Sequence, residues 1–72
     1  MSETIHLFDV VALTHDVPAE NLQRGQVGTV VEILAPDVFL VEFSNLDGET
    51  YATPELSADQ LMRLHYEPSA SA

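Results

Sequence analysis

Seventy-two residues suffice for one domain around one small core, and a chain this short buries only about 60% of the surface its unfolded form exposes. Twelve Asp and Glu against two Arg and no Lys give a net charge of −10, which argues against nucleic-acid backbones and anionic membranes as partners, because both are gripped by basic side chains. With no cysteine there is neither a disulfide nor a thiolate metal site, so closure of the core or oligomerisation must hold the fold.

The absence of cysteine fits a reducing cytosol. The opening MSETIHLFDV has no basic n-region or sustained apolar run, so no secretory signal is expected. No apolar stretch approaches the roughly 18 residues of a membrane helix. A soluble cytoplasmic protein is the expectation. The negative charge serves solubility first, and it electrostatically favours basic protein partners.

In chain order, Ile5, Leu7 and Phe8 are expected to pack at the edge of the fold, ahead of a first strand over Asp9–Leu13, rich in β-branched residues. Pro18 ends that region, and PAENL at Pro18–Leu22 predicts one helical turn that drops Leu22 into the core. A hairpin occupies Arg24–Phe43 and turns at Ala35-Pro36-Asp37. Within it, Gly25 and Gly28 suggest a bulge or a close backbone approach. Val30, Val31, Ile33 and Leu34 break strict alternation, so either a bulge shifts the register or both faces are partly covered; the bulge is favoured. Phe39, Val41 and Phe43 share one period-2 face of the next strand, with Glu42 on the wetter one.

Ser44–Gly48 is a turn, with Asp47-Gly48 suited to positive φ. A fourth strand follows over Glu49–Thr53 and stops at Pro54. Ser57 and Gln60 have the spacing of a capping box, with Leu56 and Leu61 at the staple positions. One helical turn there should feed a last strand over Met62–His65, and residues 67–72 have the composition of a frayed tail. The pattern predicts an all-β fold: a small five-stranded SH3-like barrel over residues 1–66, with one short helical turn before the last strand. An open sheet that dimerises to cover its exposed face is the alternative.

These residues also carry a resemblance. FDVVAL (Phe8–Leu13), L-x-x-G-x-x-G-T-V-V-E (Leu22–Glu32), VEF (Val41–Phe43), Asp47-Gly48 and LSADQL (Leu56–Leu61) resemble an uncharacterised family of small bacterial proteins. The resemblance implies an SH3-like barrel whose G-x-V-G-x-V core is similar to the KOW motif of ribosomal and transcription-elongation proteins. It assigns no catalytic residue. KOW domains that bind RNA are generally basic, and this chain is the reverse.

Searching for chemistry gives little. His6, His15 and His65 form no i, i+4 pair and no H-x-E arrangement, and the carboxylates never take the form of a calcium loop. Ser44 and Ser57 lie in no G-x-S-x-G elbow, and Gly25-x-x-Gly28 lacks the features of a phosphate loop. A small barrel is also expected to fill its interior with its own side chains, leaving no pocket of ordinary ligand size. No enzyme, cofactor or metal site is expected.

Binding remains. In an SH3-type barrel the loop after the first strand and the strand 3–4 turn flank a shallow groove. Asp16 and Glu20 stand on one side here, and Leu46, Asp47, Glu49 and Tyr51 on the other. Leu46 and Tyr51 are candidate apolar anchors in an acidic rim; the competing expectation folds Leu46 over the barrel end and packs Tyr51 into the core. The sequence reads as a non-enzymatic module for a protein partner, favourably a basic one. Self-association is the second reading and a nucleic-acid-associated KOW-type module the third.

Overall fold

The computed structural model describes residues 4–45 and 47–64. Alternating apolar residues make the strands, and six are present among the described residues. They are β1 (Val10–Leu13), β2 (Val27–Ala35), β3 (Val38–Ser44), β4 (Thr50–Ala52), β5 (Glu55–Ser57) and β6 (Leu61–Arg63). They pair antiparallel in the order β4-β3-β2-β1-β6, with β5 also on β3. The sheet curls around one core but does not close, so the molecule is barrel-like with an open seam.

The fourth strand differs most from the expectation. Pro54 does not end it but divides it. β4 pairs with Phe43 and Ser44, β5 pairs with Val38–Leu40, and between them the Pro54 carbonyl accepts the Val41 N–H at 3.1 Å. Proline lacks a donor but keeps its acceptor, so it interrupts an outer strand without detaching it. Five expected strands become six for this reason.

β2 resolves the broken alternation. Its register against β3 shifts between Val30 and Glu32 and again between Ile33 and Ala35. Val30 points fully inward ahead of the first bulge, and beyond it Ile33 and Leu34 stay exposed. Gly28 provides the close approach: a Cβ there would stand 2.8 Å from the Glu42 carbonyl oxygen and 2.8 Å from Val41 Cγ1. β2 crosses β3 at a separation only glycine permits.

The core is Val11, Leu13, Leu22, Val30, Phe39, Val41, Phe43, Leu56 and Leu61, joined by Ile5. The face Phe39–Val41–Phe43 is buried as its period requires, and each such side chain removed from water contributes about 1.5–3 kcal/mol. Leu22 follows a 3-10 turn at Pro18–Glu20, and Asn21 takes the left-handed cap. A second 3-10 turn, Ala58–Gln60, precedes β6. There Gln60 Oε1 accepts the Ser57 N–H at 2.9 Å, and both staple leucines, Leu56 and Leu61, are buried. β6 starts at Leu61 rather than Met62, since Gln60 is still the last residue of the turn. His65 and residues 67–72 lie outside the described residues.

The N-terminal expectation holds for one residue of three. Ile5 joins the core, whereas Leu7 is 45% and Phe8 69% exposed. A turn lifts them away: the Asp9 N–H donates to the His6 carbonyl at 3.1 Å, placing Leu7 and Phe8 at its two corners.

Candidate interaction surface

Two loops and one strand build the surface singled out by the sequence. The first loop is tied at Asp16, whose Oδ1 accepts the Arg24 N–H at 2.9 Å. The next link is Gln26, whose side-chain oxygen accepts the Gln23 N–H. Its amide nitrogen donates to the Tyr51 hydroxyl at 2.8 Å. A chain of hydrogen bonds thus runs from the loop after β1, through the approach to β2, to β4. Asp16 and Tyr51 are each tied to the segment that leads into β2.

Tyr51 does not pack into the core, the competing expectation for it. It is 49% exposed and outside the core, held by its hydroxyl with part of its ring accessible. Glu20 is exposed on the first 3-10 turn. Asp47 and Glu49 are exposed on the turn leading into β4. That turn is built by Asn45, whose side-chain oxygen accepts the Asp47 N–H at 2.9 Å and the Glu49 N–H at 3.0 Å. Its amide nitrogen reaches Glu49 Oε1 at 3.1 Å. Gly48 supplies the positive φ, 82°. Leu46 lies outside the described residues. Arg24 adds one positive charge here beside the negative charges of Asp16, Glu20, Asp47 and Glu49.

A second polar cluster escaped the sequence. Asp9 Oδ2 accepts Arg63 Nε at 2.9 Å and the His6 N–H at 2.7 Å, with His6 Nδ1 at 3.7 Å. Partial burial would raise the Asp9 pKa, but the His6 N–H and the Arg63 guanidinium outweigh it and hold the carboxyl below its ordinary value. The two ends of the pair are 54 positions apart, so no spacing rule finds it. The usable signal was scarcity: a chain with two cations among twelve acids pairs them where it can.

The expectation of a pocketless molecule needs correction. The core is filled, but the open seam leaves a cleft of about 660 Å³ between β6 and the β2–β3 hairpin. Ile5, Phe39, Leu61 and Met62 form its apolar walls, with Asp37 and Arg63 also lining it. Ala58 N–H donates to the Asp37 carbonyl at 2.9 Å, fixing the hairpin tip over the second 3-10 turn. Among the described residues, no three His, Asp or Glu converge as metal ligands. No helix among them is long and apolar enough to cross a membrane.

A family model described as a domain of unknown function (DUF4926) matches residues 7–63. No curated protein and no solved structure gives a significant match. The matched span runs from the exposed Leu7 to the paired Arg63, so it takes in the six strands and the Asp9–Arg63 pair, with His6 just outside it. The chain belongs to the DUF4926 family.

Proposed function

We propose that this DUF4926 chain is a non-enzymatic protein-interaction module: an SH3-like barrel that engages a basic protein partner in a bacterial cytoplasm. What supports the SH3-like reading is the strand order β6-β1-β2-β3 followed by the split β4/β5, with a 3-10 turn just before the last strand. The G-x-V-G-x-V segment supports it too, since Gly28 sits where β2 and β3 pass closest.

The observation that carries the binding reading is the hydrogen-bonded run Arg24–Asp16 and Gln26–Tyr51. It ties an accessible aromatic ring to the same short segment that holds the loop after β1, on a chain of net charge −10. An aromatic side chain held by its hydroxyl loses little entropy on binding and offers a large apolar area. Surrounding carboxylates steer and orient a basic partner without supplying most of the affinity.

The test is capture from native lysate at low and moderate salt, with bound proteins identified by mass spectrometry. One stoichiometric basic partner, released by salt and lost with Tyr51→Ser and with the double variant Asp47→Asn/Glu49→Gln, is the expected result. A partner retained by both variants, or an acidic partner whose complex ignores salt, overturns it. Asp16 is unsuited to this test because its carboxylate also braces the loop.

A further inference from the structure

The His6–Asp9 turn holds a residue its backbone does not favour. Phe8 has φ of 69°, and no other corner of that turn is left-handed. This is the type II arrangement, whose third position calls for glycine. A bulky side chain there is uncommon and strained. The surroundings enforce it: Phe8 N–H donates to the Val30 carbonyl at 2.7 Å, Val30 N–H donates to the Asp9 carbonyl at 2.9 Å, and the Asp9 carboxylate is fastened to Arg63. The ring itself lies outside the core, 69% exposed, beside the 45% exposed Leu7. Among the described residues, the buried core does not include this aromatic group. Strain kept at such a position points to use elsewhere.

The cleft at the open seam is its neighbour. Thr4 and Ile5 line that cleft, and three peptide units, at most about 11 Å, separate Ile5 from Phe8. Arg63 belongs to both features, lining the cleft and gripping Asp9. An apolar projection therefore stands a short way along the chain from a cleft of mixed lining, with Phe39 and Met62 on its apolar side and Thr14, Asp37 and Arg63 on its polar one. Projection and hollow close together on one surface are what a twofold interface requires, since the same patch must serve both partners. We propose that two copies of this chain associate through this patch, each inserting Phe8, flanked by Leu7, into the cleft of the other.

The charge distribution favours a second copy here despite its overall sign. The carboxylate at the foot of the turn, Asp9, is already paired with Arg63, and among the described residues Asp37 is the one carboxylate on the cleft lining. Of the chain's two arginines, one lies in this patch. Two molecules of charge −10 can thus meet where their repulsion is weakest, with Asp16, Glu20, Asp47 and Glu49 outside the contact. The cleft volume also suffices for a ring and a leucine side chain, lying within the range of ordinary binding sites. This interface does not depend on the Tyr51 surface and stands or falls separately from it.

The full 72-residue chain tests the proposal in sedimentation velocity and light scattering across micromolar to millimolar concentration. The expected result is a concentration-dependent monomer–dimer equilibrium. Phe8→Asn keeps a residue tolerated at positive φ and should weaken the dimer about tenfold or more, the least that losing an anchor costs. Met62→Glu, on an exposed position of β6 in the cleft wall, should weaken it similarly while the circular dichroism of the monomer is unchanged. A wild-type chain that stays monomeric throughout overturns the proposal. So does a dimer that neither substitution weakens.

Discussion

Two turns of this molecule have the same hydrogen bond and meet a positive φ with opposite residue types. In one, Gly48 N–H donates to the Asn45 carbonyl at 3.0 Å; in the other, Asp9 N–H donates to the His6 carbonyl at 3.1 Å. The first opens with an asparagine that braces two following N–H groups and places glycine at its positive φ. The second places leucine and phenylalanine at its corners and forces the phenylalanine left-handed. Its bracing comes from the far end, where Asp9 holds His6 and Arg63. The first turn is explained by its own residues. The second is held in place by the rest of the sheet, and its corner residues answer to something other than local stability.

If residue type follows backbone demand everywhere but at Phe8, the severest check is Gly28. Gly28→Ala puts a methyl group against the Glu42 carbonyl and Val41 Cγ1, and urea melts should show a loss of about 2–3 kcal/mol, as for other overpacked positions. A loss well under 1 kcal/mol would mean that β2 and β3 separate easily.

Asp9→Asn comes next, since it removes a charged partner of Arg63 and weakens the acceptor for His6. A loss of about 1–3 kcal/mol at neutral pH is expected for such a charge-assisted pair. The pH sign follows from the lowered pKa. Folded Asp9 binds its proton less readily than unfolded Asp9, so the contribution is whole above the unfolded value of 3.8 and disappears as pH falls through the folded one. The difference in stability between wild type and Asp9→Asn should therefore narrow below that point. A gap of constant size down to the acid transition would assign the effect to packing.

Asn45→Ala tests the self-explained turn directly and should cost about 1–2 kcal/mol, because two N–H groups lose their acceptor on an exposed loop where water replaces it in part. Phe8→Asn is the smallest effect and the most telling, because its sign is reversed. At concentrations low enough for monomer, it should raise stability by about 0.5–1 kcal/mol through relief of the left-handed strain. Calorimetry reads the change. A loss instead would show that the Phe8 ring packs usefully in the single molecule and would dissolve the contrast between the turns.

Much of the fold was legible because short-range rules and the core agree. The period-2 face of β3, the bulged β2, the glycine crossing and the Ser57–Gln60 spacing each follow from local chemistry. What escaped was non-local or against the local rule. Nothing in LFD at Leu7–Asp9 announces a turn, since neither corner is a turn residue; its cause is pairing with Val30 and Arg63. Pro54 reads as a terminator in one dimension, and only the Val41 N–H on the neighbouring strand shows that the strand resumes. The candidate surface was partly legible: the loop that carries Asp16 and the strand that carries Tyr51 were named from the fold type, whereas Gln26, which holds the Tyr51 hydroxyl, has no distinguishing signal.

Pro54 has one more consequence, for life at high protein concentration. Another extended chain laid along the outside of β4 and β5 would find three strand residues, then Thr53 and the hydrogen-less ring nitrogen of Pro54, and three strand residues more. Fibril-forming segments need about six or seven consecutive residues of uninterrupted ladder, free of proline and low in charge. This border offers no such run, and Glu49 and Glu55 add repulsion beside it. The proline that splits the strand lets a sheet remain open without becoming a template.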